Sequence, residues 1–163
     1  MVQESTPRHR VTAAAERDGT LAVVRKCVEV LAGTRADADL LWVLGGGNVG
    51  PGVLADRWGG RDGYWPRTWA LRAFLYVWDP EAEPAVVAAC SDEHWRVREM
   101  AAKVMAARKP TSEASEEASD RLLADPNPRV QTAAARALRQ GRPSWDGALR
   151  PGHSTAGWST RGG

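Results

Sequence analysis

Val97-Arg98-Glu99-Met100-Ala101-Ala102-Lys103-Val104 and Val130-Gln131-Thr132-Ala133-Ala134-Ala135-Arg136-Ala137 are two versions of one pattern, 33 residues apart. In both, apolar residues fill the first, fourth, fifth and eighth places, which share one face of a helix. An arginine, Arg96 or Arg129, stands directly before each valine, and a polar turn precedes each segment. Self-similarity at this period marks a repeat architecture. One such unit cannot bury its apolar face alone, so neighbouring units must stack and share a continuous core. The paired alanines let adjacent helices approach closely.

The surrounding chain follows the same plan. Downstream of Pro110, a helix is expected over Glu113–Leu123 and another over Asn127–Gln140, with Asp125-Pro126-Asn127-Pro128 as the tight turn between them and Gly141 as the stop. Upstream, Glu81–Ser91 reads as a short helix, and Asp92 as the N-cap of a second helix reaching Arg108. Before these, Tyr64-Trp65-Pro66 opens a helix with proline in its first turn. It is expected to run through Leu71, Phe74, Leu75 and Trp78 to Pro80. Leu71–Trp78 carries the apolar plan once more. Matching apolar faces sets it 26 residues before Val97, whereas matching Pro80 with Pro110 gives 30. The disagreement marks the first unit as degenerate.

Toward the N-terminus, Val11–Leu31 is helical in pattern, with Leu21, Val24, Cys27, Val28 and Leu31 on one face and Gly33 just past the end. Asp37–Leu44 is a short apolar stretch, and Pro51–Trp58 reads as a short helix. Residues 1–10 are expected to be disordered, 11–141 to form the helical repeat domain, and 142–163 to be a flexible tail rich in Gly, Pro and Ser. The expected core contains Leu21, Val24, Leu41, Leu71, Leu75, Val86, Val97, Met100, Ala101, Val104, Leu122, Val130 and Ala134.

At the repeated segments the chain resembles the HEAT-repeat family, including the short variety named for phycobilisome lyases. Trp95-Arg96-Val97-Arg98 with Ala101-Ala102, and Asn127-Pro128-Arg129-Val130 with Ala133-Ala134, carry the resemblance, and Gln131 replaces the usual Arg in the last unit. It spans about residues 65–140. It implies an all-α fold of about eight helices: a short α-solenoid, a right-handed superhelix of about three HEAT-like hairpins with N-terminal capping helices. The concave face of such a stack implies a protein-interaction or scaffold module. A similar helical-repeat family includes DNA alkylation-repair glycosylases. Asp92, Trp95 and Arg98 imitate their combination of acid, aromatic and basic groups, although that family's active-site motif is not matched.

Composition narrows the classes of function. The 163 residues carry 22 basic and 20 acidic side chains, a net charge of +2, so total charge alone does not demand a nucleic-acid partner. Eight Trp stand against two Tyr and one Phe, which makes the placement of Trp and Arg more informative than the totals. Cys27 and Cys90 lie on separate apolar stretches without metal-ligand spacing and read as buried free thiols. No apolar run approaches the length of a membrane span, and Met1–Arg10 lacks the apolar core of a signal peptide, so a cytoplasmic location is expected.

The candidate partner-binding residues are Trp65, Arg67, Arg72, Trp95, Arg96, Arg98, Lys103, Arg129 and Arg136, with Tyr64 and Trp69 beside them. Arg and Trp dominate binding hot spots, and they also suit phosphate contact and base stacking. The structural alternative is that Trp fills gaps between repeats and Arg bridges acids. No catalytic residue, metal or cofactor is expected, because His9, His94 and His153 are scattered and no nucleophile motif occurs. Asp79, Glu81 and Glu83 suit a helix start. Gly45-x-Gly47-x-x-Gly50 has the spacing of a dinucleotide turn, but further strands alternating with helices, which that turn requires, do not follow. The acidic, Ser-rich stretch from Glu113 to Asp120 reads as a solvated helix face or as a surface opposite in charge to the Arg-bearing helices. A protein partner is the leading expectation and nucleic acid the alternative, with no membrane and no small-molecule cofactor.

Overall fold

The computed structural model describes residues 5–34, 38–51, 53 and 63–141. The expected tail, and most of the helix expected at Pro51–Trp58, lie outside these residues. All regular structure among the described residues is helical.

Helix α1, Pro7–Asp18, begins where Thr6 accepts the His9 amide on its hydroxyl, with Pro7 at the first position. It therefore starts before Val11, inside the segment expected to be loose. Gly19, at φ 92°, then splits the single helix expected over Val11–Leu31. Helix α2, Thr20–Leu31, buries Val23, Val24, Cys27 and Val30. This face leaves Leu21, an expected core residue, 36% exposed. Both cysteines are buried, and burial pushes their thiols up to about 12.

Helix α3, Ala38–Gly45, buries Leu40, Leu41 and Leu44 and leaves Trp42 56% exposed. The run Leu40–Leu44 is thus helical, not the strand that a dinucleotide turn needs. The glycines behind it serve packing. A methyl group on Gly45 would stand 2.6 Å from the Trp69 ring. Gly46 has φ 61° and faces the Arg10 guanidinium. The C-terminal carbonyls of α3 are taken by two arginines: Arg10 Nε donates to Val43 O at 3.1 Å and Arg72 Nη2 to Leu44 O at 2.8 Å. Cationic donors suit that end of a helix.

The remaining helices are α4 (Tyr64–Ala73), α5 (Glu83–Ala89), α6 (Trp95–Arg108), α7 (Glu113–Leu123) and α8 (Pro128–Gly141). Helix α4 stops at Ala73, short of the expected Trp78. From Phe74 to Tyr76 the chain closes in i to i−3 turns, and Arg108 Nε donates to Phe74 O at 2.7 Å, taking the carbonyl that would have carried the helix on. Lys109, in the left-handed region at φ 49°, ends α6 just before Pro110.

Helix α6 packs between α4 and α8, while α5 lies against α6 and α7 against α8. Helix α2 covers α4, and α1 packs on α2 and α3. One apolar cluster runs from Val11 in α1 to Ala134 in α8, through Phe74, Val86, Val97, Val104 and Leu122. Ala101, Ala102, Ala133 and Ala134 are buried within it, as small residues at a close helix pairing must be. Met100 and Leu75 pack at its margin, half-buried.

Gly45→Ala should lower stability by about 1–3 kcal/mol, the usual penalty for overpacking a filled site. Gly50, where an added methyl would meet nothing within 4 Å, supplies the control. Urea unfolding of Gly50→Ala should stay within about 0.5 kcal/mol of the parent.

Candidate functional site

Helices α4, α6 and α8 place equivalent residues in rows. The register follows from two ion pairs that match atom for atom. Arg67 Nε donates to Asp92 Oδ2 at 2.8 Å and its Nη2 to Oδ1 at 3.2 Å; Arg98 Nε donates to Asp125 Oδ2 at 2.6 Å and its Nη2 to Oδ1 at 3.1 Å. In each case the same Oδ1 also accepts the amide two residues on, that of His94 or Asn127, at 2.8 Å. Each aspartate thus fastens the start of its own helix to an arginine two helices back, α6 to α4 and α8 to α6. Arg67 and Arg98 are 31 residues apart, so the first unit aligns close to the proline register and not to the 26-residue offset suggested by apolar faces.

These pairs are largely shielded from water, with side-chain exposures of 14% and 13% for Arg67 and Asp92, and 15% and 5% for Arg98 and Asp125. Burial opposes the charge of Asp125, but the Arg98 hydrogen bonds and the Asn127 amide prevail and hold its carboxyl below the usual value. Arg98 Nη1 also donates to the carbonyls of Asp92 and Glu93. Gln131, at the next equivalent position, keeps only the counterpart of that contact, donating from Nε2 to Asp125 O at 2.6 Å.

Asp92, expected as an N-cap, instead positions the true cap. His94 precedes α6, and its Nδ1 accepts the Arg96 amide at 3.2 Å; Asn127 does the same for Arg129 with Oδ1 at 3.0 Å. The imidazole lies flat on Tyr64, ring centroids 3.6 Å apart and 2° from parallel. Burial, reinforced by Arg96, Arg67 and Arg98, outweighs the pull of Asp92 and lowers the His94 pKa.

In front of this framework the first turns of α4, α6 and α8 form an aromatic and cationic row. The Arg96 guanidinium lies 5.4 Å from the Trp65 ring centre and 4.7 Å from that of Trp95, and Arg129 lies 5.5 Å from Trp95 on the next helix. Trp65 continues to the buried Trp69, with centroids 6.0 Å apart. Cation–π contacts of this kind contribute about 0.5–1 kcal/mol each where exposed. Among the described residues, the guanidiniums of Arg96, Arg129 and Arg136 have no hydrogen-bonded acceptor and no carboxylate partner.

Beside the row, α6 and α8 enclose an open groove of about 500 Å³. Lys103 and Glu99 line one wall and Arg129, Thr132 and Arg136 the other, with Ala133 between. Lys103 Nζ is 3.0 Å from Glu99 Oε1.

The sequence-derived candidates therefore separate. Trp65, Trp95, Arg96, Arg129, Lys103 and Arg136 gather along the row and groove. Arg67 and Arg98 bridge repeats, and Arg72 holds the end of α3. Sequence reasoning did not find the partners of these bridges. Their signal was an aspartate four residues before each row arginine, Asp92 before Arg96 and Asp125 before Arg129. The resemblance of Asp92, Trp95 and Arg98 to a base-excision site dissolves, because Asp92 and Arg98 are committed to different bridges. Glu81 pairs with Arg25 at 2.8 Å, and Glu83 accepts the hydroxyls of Ser112 and Ser115, so two members of the acidic run tie helices together. Among the described residues no cluster of three or more His, Cys, Asp or Glu could hold a metal, and no helix is long and apolar enough to cross a membrane.

Residues 64–139 match the family model for HEAT repeats. No curated protein and no solved structure matches the chain.

Arg98→Ala should destabilise the fold by about 2 kcal/mol, between the values for exposed and fully buried pairs. In a double-mutant cycle with Asp125→Ala, the combined loss should fall well below the sum of the single losses. Because the folded state lowers the His94 pKa, the neutral imidazole's contribution is complete above the ordinary value of 6.5 and fades as pH falls below it. His94→Asn, which copies Asn127, should remove that part of the pH dependence in thermal melts while retaining the cap.

Proposed function

We propose, from the premise that residues 64–139 belong to the HEAT-repeat family, that this chain is a non-catalytic scaffold module. Its helices form a short right-handed solenoid with α1–α3 as the N-terminal cap, acting in the cytoplasm. HEAT repeats commonly serve as protein-interaction scaffolds. Here the partner is a protein, and it docks on the inner-helix surface of α4, α6 and α8.

One observation carries this reading. Arginines of α4, α6 and α8 fall into two sets: Arg67 and Arg98 are bound by carboxylates and carbonyls, whereas Arg96 and Arg129 lie on indole faces with their donors unused among the described residues. A planar donor fork already oriented by packing loses little freedom when it meets an acceptor. Trp65, Trp95, Arg96, Lys103, Arg129 and Arg136 are then the contact residues, and Arg67, Arg72 and Arg98 position them. Nucleic acid is the second reading, because the same indole and guanidinium faces suit bases and phosphates.

Affinity capture from native extract, with and without nuclease, separates the two. The Arg96→Ala/Arg129→Ala/Arg136→Ala variant should retain its circular dichroism, with a melting temperature lowered by a few degrees through the lost cation–π contacts, yet recover far less partner at a temperature where it is folded, and nuclease should not release that partner from the parent protein. Undiminished capture by the triple variant would remove this surface from consideration.

A further inference from the structure

We infer that the groove between α6 and α8 receives an acidic peptide segment, whose carboxylates are held by Arg96, Arg129 and Arg136. The inference rests on the proposed docking surface and adds the chemistry of its occupant.

Charge distribution points to carboxylates. The groove walls hold Lys103, Arg129 and Arg136 against Glu99 alone, and Arg96, just outside the lining, shares the Trp95 ring with Arg129. Lys103 already neutralises Glu99. The unsatisfied positive charge therefore resides on three guanidiniums, the group best matched to carboxylate in bidentate geometry. Arg129 and Arg136 are seven residues apart on α8, about 10 Å along its axis, so the occupant must present acids over a comparable length. Pro128, Thr132 and Ala133 keep the space between them shallow and open enough for a peptide backbone to lie in.

The extent of the basic surface favours a short acidic peptide over a nucleic-acid strand. Toward α4 the track ends: the position equivalent to Arg96 is Trp65, and Arg72, equivalent to Lys103, is turned onto the Leu44 carbonyl. On the other flank of α8, helix α7 exposes Glu113, Glu116, Glu117 and Asp120. A phosphate backbone needs a continuous series of cations along its path, whereas two or three carboxylates need only this patch.

The test uses the full chain and three fluorescent probes: a glutamate-rich peptide, its glutamine counterpart, and a single-stranded oligodeoxynucleotide of equal net charge. A fourth probe is the chain's own segment Thr111–Arg121. The glutamate peptide should bind, the glutamine peptide should not, and Arg96→Gln/Arg129→Gln/Arg136→Gln should weaken binding about tenfold, as expected for three partly exposed ion pairs. Arg121→Gln, on α7, should leave it unchanged. Tighter binding of the oligonucleotide would overturn the inference in favour of nucleic acid. Binding of the Thr111–Arg121 peptide alone would overturn it in favour of a second copy of this chain. Should no probe bind while the triple arginine variant still loses captured protein, the acidic occupant is refuted and the docking surface stands. If captured protein is also retained, both fail.

Discussion

Two carboxylates, Asp92 and Asp125, carry the geometry on which the rest of the molecule depends. Each accepts a two-point hydrogen bond from an arginine two helices back in the chain and, on one of the same oxygens, the amide that starts its own helix turn. The angle and spacing between successive inner helices are thereby coupled to the position where each helix begins. Apolar packing alone would not do this, since a stripe of alanines and valines can slide along its neighbour with little change in buried area. A short ion pair of fixed planar geometry cannot, and in a largely water-free setting an unpaired partner would be costly.

That coupling gives the arginines of the inner helices two different fates. At the positions of Arg67 and Arg98 the guanidinium points to the following turn and is consumed there. Two residues before Arg98, Arg96 emerges on the opposite side of the same turn, as Arg129 does before Gln131, and both settle on tryptophan rings. An indole face attracts a cation without satisfying its hydrogen-bond donors, so these groups remain both ordered and chemically available. The capping histidine joins the two sets: the Asp92 carboxylate holds its backbone, Tyr64 supports its ring, and its Nδ1 fixes the amide of Arg96.

The bridging pattern changes at α8. Gln131 lacks the charge to bridge to a further helix and bonds only to the carbonyl of Asp125. On α8, Arg129, Gln131, Thr132 and Arg136 are exposed beside the buried Val130, Ala133 and Ala134. Helix α3 abuts α4 through Gly45 against Trp69, and two arginines close its last turn.

From its sequence alone the chain is legible as helical, as repetitive over its second half, and as carrying its apolar faces at Val97, Ala101, Val104, Val130 and Ala134. Those properties are local: helix periodicity, proline stops and paired alanines act within a few residues and leave their mark in order. The gathering of Trp65, Trp95, Arg96 and Arg129 was partly legible for the same reason, since repeated positions must align. Asp92 and Asp125 recur before the repeated segments, but which arginine each one takes was not in that local pattern. Arg96 and Arg98 are near neighbours of the same type, and the first was left open while the second was tied to Asp125 only because the helix turns one side chain toward the next repeat and the other toward solvent. The split of Val11–Leu31 at Gly19 is local, a glycine at positive φ, whereas the outward placement of Leu21 and the early stop of α4 beneath Arg108 have the same origin as the fates of Arg96 and Arg98. Both depend on contacts between residues far apart in the chain, which tertiary packing alone brings together.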